Sequence, residues 1–181
     1  MYKRQINERF IFNDVEISDD NLSNLLIEVE NVNNGEQITY FEILTAAYFY
    51  HASKFKDKIN IIESGLFHRF DATNIIDNNL SSIVTSIGLD HLDWLPKNDQ
   101  NIEKIVYEKT SSLLNSTIVV SKQSSDETLN LIKKTINNNQ SKKIIYKDDF
   151  NYSLSENGFI YYEDEYGGLK LPKPNLLGNF Q

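Results

Sequence analysis

The sequence predicts an α/β fold: a doubly wound, mostly parallel sheet flanked by helices, with a small antiparallel appendage near the C-terminus. Three observations predict it. Short apolar runs at 59–62, 82–87, 117–121 and 143–146 have the length of buried strands. Helical patterns lie between the later runs, and strands that alternate with helices imply parallel pairing. From about Asn151 the pattern changes: Phe159-Ile160-Tyr161-Tyr162 and Leu169-Lys170-Leu171 flank Gly167-Gly168, as in a hairpin.

In chain order, residues 6–17 read as short extended pieces around an Asn13-Asp14 turn. Ser18 is placed to cap a helix with Leu22, Leu25, Leu26 and Val29 on one face, and Asn33-Asn34-Gly35 ends it. Thr39 and Glu42 have capping-box spacing. The helix they open is expected to run to about Phe55 and, being rich in Ala, Tyr and Phe, to be well buried. The run 59–62 is expected as a strand, 64–79 as a polar loop and 82–87 as the next strand. A helix follows from about Asp99 to Leu114, then a strand at 117–121. Leu129, Ile132 and Ile136 mark another helix, before a last parallel strand at 143–146.

At 181 residues, with 40% hydrophobic residues, the chain suits one α/β domain with a real core, the appendage at 151–172 being a small subdomain. There is no cysteine, which excludes disulfides, a thiolate metal cage and thiol nucleophiles. A formal net charge of −8 argues against a nucleic-acid binder, and Lys142-Lys143 reads as ordinary solvated surface. No apolar run has the length of a membrane span, and no apolar stretch follows the basic residues of the first seven positions. The expectation is a cytoplasmic protein.

Ligands of open α/β sheets bind beyond the carboxyl ends of the strands. That rule selects Glu63, after the run 59–62, and His91, in Gly88-Leu89-Asp90-His91 after 82–87. A carboxylate and an imidazole on one sheet edge can bind a divalent cation, and magnesium takes mainly oxygen ligands. On spacing alone the favoured reading is plainer, an exposed strand end and a loop histidine, since such pairs are common. His51 reads as a packed helix residue, His68 as a loop residue that meets water or a ligand, and Trp94 as a loop anchor. There is neither a Gly-x-Ser-x-Gly elbow nor a complete Gly-x-x-x-x-Gly-Lys-Ser/Thr phosphate loop.

The run from Ile61 through Glu63-Ser64-Gly65-Leu66-Phe67-His68-Arg69-Phe70-Asp71-Ala72-Thr73-Asn74 to Ile76 resembles a signature of the folylpolyglutamate synthase/dihydrofolate synthase family. Thr39-Tyr40-Phe41-Glu42, Ser86-Ile87-Gly88-Leu89-Asp90-His91 and Glu108-Lys109 fit the same family in the same order. Asn7-Glu8-Arg9-Phe10 and Leu177-Gly178-Asn179-Phe180-Gln181 resemble segments at either end of that stretch. The resemblance implies the central ATP-binding domain of a Mur-ligase-type enzyme. Such an enzyme phosphorylates a carboxyl group of dihydropteroate or a folate with ATP and Mg2+, then joins it to the amine of L-glutamate. It further implies magnesium ligands at Glu63 and His91, and at Lys109 a lysine that becomes N-carboxylated and turns into an oxygen ligand. Thr39, Tyr40, Phe41 and Glu42 would line the pterin pocket with Phe70, Asp71 and Ala72. A monomer is implied for the full-length enzyme. Without the resemblance, Lys109 reads as a surface lysine, Tyr40 and Phe41 as core, and Thr39 with Glu42 as a cap.

The chain departs from the family pattern at Phe67-His68, where a Gly-Gly pair is usual, at Thr110-Ser111, usually Ala-Gly, and at Pro96, usually Gly. The family's phosphate loop would precede Asn7 and its C-terminal glutamate-ligase domain would follow Gln181. The expectation is therefore an incomplete central domain, inactive alone. The competing readings are a non-catalytic pterin- or Mg2+-binding remnant, and a cell-wall Mur ligase, which Asp71-Ala72-Thr73-Asn74 disfavours.

Overall fold

The computed structural model describes residues 6–113 and 116–172. The expected segment Leu177–Gln181 lies outside the described residues. The chain divides into two compact units, Met1–Gly65 and Leu66–Gln181.

The first unit opens with a 3-10 turn, Ile6–Arg9, where plain extended chain was expected. Strands β1 (Ile11–Phe12) and β2 (Val15–Glu16) pair antiparallel. Asn13 and Asp14 between them both take positive φ, the conformation a two-residue primed turn requires and one that Asn and Asp tolerate. Helix α1 (Asp19–Asn33) starts where Ser18 Oγ accepts from the Asn21 amide and stops at Asn34 in the left-handed region. Helix α2 (Tyr40–Ala52) has the full capping box between Thr39 and Glu42 and ends three residues earlier than expected. Phe10, Ile17, Leu22, Leu25, Leu44 and Ala47 form the core of this unit. Apart from Leu44, Ala47 and Ala52, α2 is half-buried or exposed, so it is less enclosed than its composition suggested. His51 packs its ring against Phe12 (4.4 Å between centroids) and Phe55 (5.4 Å), as a packed helix histidine should.

The run 59–62 is not a strand. It makes no ladder among the described residues, and Ile61 is 91% exposed. Apolar sequence supplies only half of what a buried strand needs; without a paired edge the backbone donors and acceptors turn to water.

The second unit holds the parallel sheet: β3 (Ser81–Val84), β4 (Thr117–Val120) and β5 (Lys143–Ile145), in that spatial order. Ser82 faces Ile118, and Val119 faces Ile144. Helix α3 (Ile102–Thr110) crosses from β3 to β4 and α4 (Asp126–Ile136) from β4 to β5, and the two helices pack on each other. Asn101 and Ser125 cap them. The core joins Val84, Ile87, Ile105, Val106, Ile118, Val120, Ile132, Ile136 and Ile145, with the Gln123 amide buried beneath it, holding Ile87 N–H, Thr85 C=O and Ser121 C=O. Strands β6 (Phe150–Leu154), β7 (Ile160–Asp164) and β8 (Gly167–Leu171) form the antiparallel appendage. Gly167 and Gly168 lie inside β8, and the turn falls at Glu165-Tyr166 instead. The α/β class, the parallel pairing and the antiparallel appendage are those expected.

Candidate functional site

The carboxyl end of β3 leads through Gly88-Leu89-Asp90 to His91, whose φ of 54° lies in the left-handed region. Non-glycine residues take that conformation rarely and at a cost, and it aims the chain sharply away from the strand. Lys109 sits in the last turn of α3. Its ammonium donates to the Leu66 carbonyl (3.0 Å) and lies 3.7 Å from Asp90 Oδ1, while Asp90 Oδ2 is 3.8 Å from His91 Nε2. The Phe67 ring completes the group, edge-to-face with His91 (6.1 Å between centroids) and 5.7 Å from the Lys109 nitrogen. Two of the three expected metal-site residues therefore share one carboxylate and one aromatic ring.

The loop after Leu66 is strapped to the same end of α3. His68 N–H and Arg69 N–H both donate to the Glu108 carbonyl at 3.1 Å. The Arg69 guanidinium forks onto the Glu108 carboxylate (2.7 and 2.8 Å), which also meets Lys104 (3.1 Å). Those bonds hold the Glu108 carboxyl below its ordinary pKa, Arg69 contributing first. His68 Nδ1 lies 2.7 Å from Ser112 Oγ, and burial lowers the pKa of this imidazole against the opposing pull of Asp71. His68 is thus a loop fastener.

In the same loop Phe70 is 82% exposed, with the Arg69 guanidinium over its ring, and Asp71 accepts from Thr73 N–H (3.0 Å) in an Asx turn. Ala72 is half-buried beside them. In the first unit, Thr39 and Glu42 cap α2, Tyr40 is exposed and Phe41 is half-buried. The cap bonds to Thr39 lower the Glu42 pKa. Glu63 is exposed and ends no strand, so the argument that set it on a common sheet edge with His91 does not hold. Trp94 is 70% exposed in a short 3-10 turn, Leu92–Trp94, and is not the loop anchor expected.

In the sequence Asp90, Arg69 and Glu108 stand out only as letters of motifs, and Phe67 only as a departure from the family pattern. Asp90 and Glu108 each adjoin a chosen residue, which is a usable signal. That Arg69 reaches Glu108, 39 positions away, has no local signal at all.

Among the described residues no three His, Cys, Asp or Glu side chains gather as a metal cluster, and no helix is long and apolar enough to cross a membrane.

No family model matches the chain. A dihydrofolate synthase/folylpolyglutamate synthase of Bacillus subtilis is 36% identical over 134 residues, covering 70% of this chain and 30% of that protein. The protein of the same name from Escherichia coli is 39% identical over 75 residues, covering 41% of this chain and 18% of that protein. Among solved structures, E. coli FolC in complex with DHPP and ADP superimposes with a TM-score of 0.80 at 26% identity, covering 98% of this chain and 42% of that one. The bifunctional folylpolyglutamate synthase/dihydrofolate synthase of Yersinia pestis gives 0.79 at 27% identity, covering 96% of this chain and 41% of that one. The chain thus spans less than half the length of the relatives it matches. Fold, motif order and sequence identity agree: the chain belongs to the folylpolyglutamate synthase/dihydrofolate synthase family, of which it represents a part.

Proposed function

We propose that this chain supplies the metal- and pterin-binding portion of an ATP-dependent ligase that adds L-glutamate to dihydropteroate or a folate. The observation that carries this reading is the setting of Lys109. Its ammonium rests among oxygen atoms, the Leu66 carbonyl and the Asp90 carboxylate, beside the His91 imidazole. Oxygen donors are what a hard divalent cation takes, so the donor set fits Mg2+. Glu63, His91 and an N-carboxylated Lys109 are the proposed ligands. N-carboxylation would replace the Lys109 cation by an anion next to Asp90, and two neighbouring anions are tolerated only with a cation between them. Bound there, Mg2+ would neutralise charge on the transferring phosphoryl group of ATP.

The remaining groups hold the substrate. Phe70 offers an exposed apolar face to a flat pterin ring, and Asp71 an acceptor to its donor edge, with Ala72 leaving room between them. Thr39, Tyr40, Phe41 and Glu42 are proposed as further pterin-binding residues. The substrate carboxylate becomes an electrophile only as an acyl phosphate, which the glutamate amine then attacks with loss of phosphate. In domain terms we propose an incomplete Mur-ligase-like central domain with residues 151–172 as its subdomain. The 181-residue polypeptide carries no complete phosphate loop. Alone it is expected to release no ADP from ATP beyond a Glu63→Ala control.

Two experiments test this. Calorimetric titration with pteroic acid should show saturable, Mg2+-dependent binding, weakened about tenfold or more by Asp71→Ala; binding indifferent to Mg2+ and to Asp71 contradicts the pocket. Replacing the corresponding stretch of the B. subtilis synthase by the matched stretch of this chain should retain glutamate-dependent ADP release, and Lys109→Ala in that chimaera should abolish it. Full activity in the Lys109→Ala chimaera would remove Lys109 from the reaction.

A further inference from the structure

Phe67 stands where the family pattern has glycine, and the structure gives its ring three simultaneous contacts. It is partly buried and packs against the core of the parallel sheet, which fixes its own position. It meets the His91 imidazole edge-to-face, with planes at 87°. It lies within cation–π distance of the Lys109 nitrogen. A glycine at this position would make none of them.

His91 needs such a wall. Its backbone is in the left-handed region, and as the first flanking residue of the Leu92–Trp94 turn its side chain makes no capping hydrogen bond. Among the described residues its polar neighbour is Asp90 at 3.8 Å, too long for a hydrogen bond. The imidazole is therefore oriented by packing, and Phe67 is the aromatic ring it packs against. Lys109 is similar: one hydrogen bond fixes its nitrogen to Leu66, the residue next to Phe67, and Asp90 stands off at 3.7 Å.

We propose that Phe67 is a positioning residue of the metal site, a core-anchored aromatic wall that sets the His91 imidazole in place and holds the Lys109 ammonium beside it before that nitrogen is carboxylated. The proposal rests on the reading of His91 and Lys109 as metal ligands. Phe67 takes over by ring contact the orienting role that hydrogen-bond partners of metal ligands usually play. The ring also narrows the approach to both side chains, which a Gly-Gly loop would leave open.

The test uses the whole 181-residue chain with Phe67→Leu, which keeps an apolar anchor but removes the ring, and Phe67→Tyr, which keeps the ring. Two readouts are taken: the carbon–proton spectra of the His91 imidazole and the Lys109 ε-methylene, and Mn2+ affinity by paramagnetic resonance titration. Phe67→Leu should displace both sets of signals and weaken Mn2+ binding about tenfold. Phe67→Tyr should return both towards wild type. If Phe67→Leu fails to fold, Phe67→Met replaces it, since the flexible thioether fills the same gap without a ring. Unchanged signals and affinity in the Leu variant, or equal loss in the Tyr variant, overturn the proposal. If His91→Ala and Lys109→Ala bind Mn2+ as wild type does, the metal-site reading itself fails. The positioning role then falls with it, while the spectra still report whether the ring contacts exist.

Discussion

The Glu108 carboxylate receives a forked guanidinium and an ammonium, and its backbone carbonyl receives two amides, so one residue fastens a loop to a helix end. Its folded pKa is lowered, so the unfolded chain takes up the proton first as pH falls. The stabilisation is present above the ordinary carboxylate value of about 4.5 and is lost as pH drops through the folded value. The melting temperature of the wild type should therefore fall more between about pH 6 and pH 3.5 than that of Glu108→Gln; equal drops would show that the fork adds nothing. His68 adds a window at higher pH. Its folded pKa is also lowered, by burial, so stability is lost as pH falls below about 6.5. His68→Gln, which keeps a polar group near Ser112, should flatten that part of the profile. At this scale the sequence is half legible. Strand-end position and motif select His91 and Lys109, and the two do meet around Asp90 and Phe67. Glu63 is selected by a strand that does not form, and the ion pair at Glu108 depends on chain folding that no spacing encodes.

Elements are more legible than contacts, because caps and periodicity are local. Ser18, Thr39 and Asn34 mark the ends of α1 and the start of α2 as their chemistry requires. Asn101 does the same for α3, accepting from the Lys104 amide at 2.9 Å. Removing that oxygen in Asn101→Ala should cost about 1 kcal/mol in denaturant unfolding; a loss below the scatter of the method would mean the helix start is held by packing. Where reading fails, the missing information is non-local. The run 59–62 is as apolar as 117–120, but β4 lies between two partners and 59–62 has no ladder. Gly167-Gly168 reads as the turn because glycine favours turns, whereas Glu165-Tyr166 makes it and Gly167 enters the strand with φ of 129°.

For the molecule as a whole, the α/β class follows from alternation alone, and each of the two compact units has its own apolar core. Ile105 of α3 is fully buried in the core of the second unit. Ile105→Ala should destabilise the protein by about 3 kcal/mol, the cost of a cavity that close packing cannot refill. The same helix carries Glu108 and Lys109, so its seating on the core fixes where both residues stand. The measurement that bears most directly on the central proposal, that His91 and Lys109 belong to one divalent-cation site, is Mn2+-induced broadening of backbone amide signals in the nitrogen-15-labelled 181-residue chain. Selective broadening around both residues, displaced by Mg2+ and lost in His91→Ala, is the predicted result. Broadening that is uniform, or that centres on the appendage and spares these residues, would contradict it.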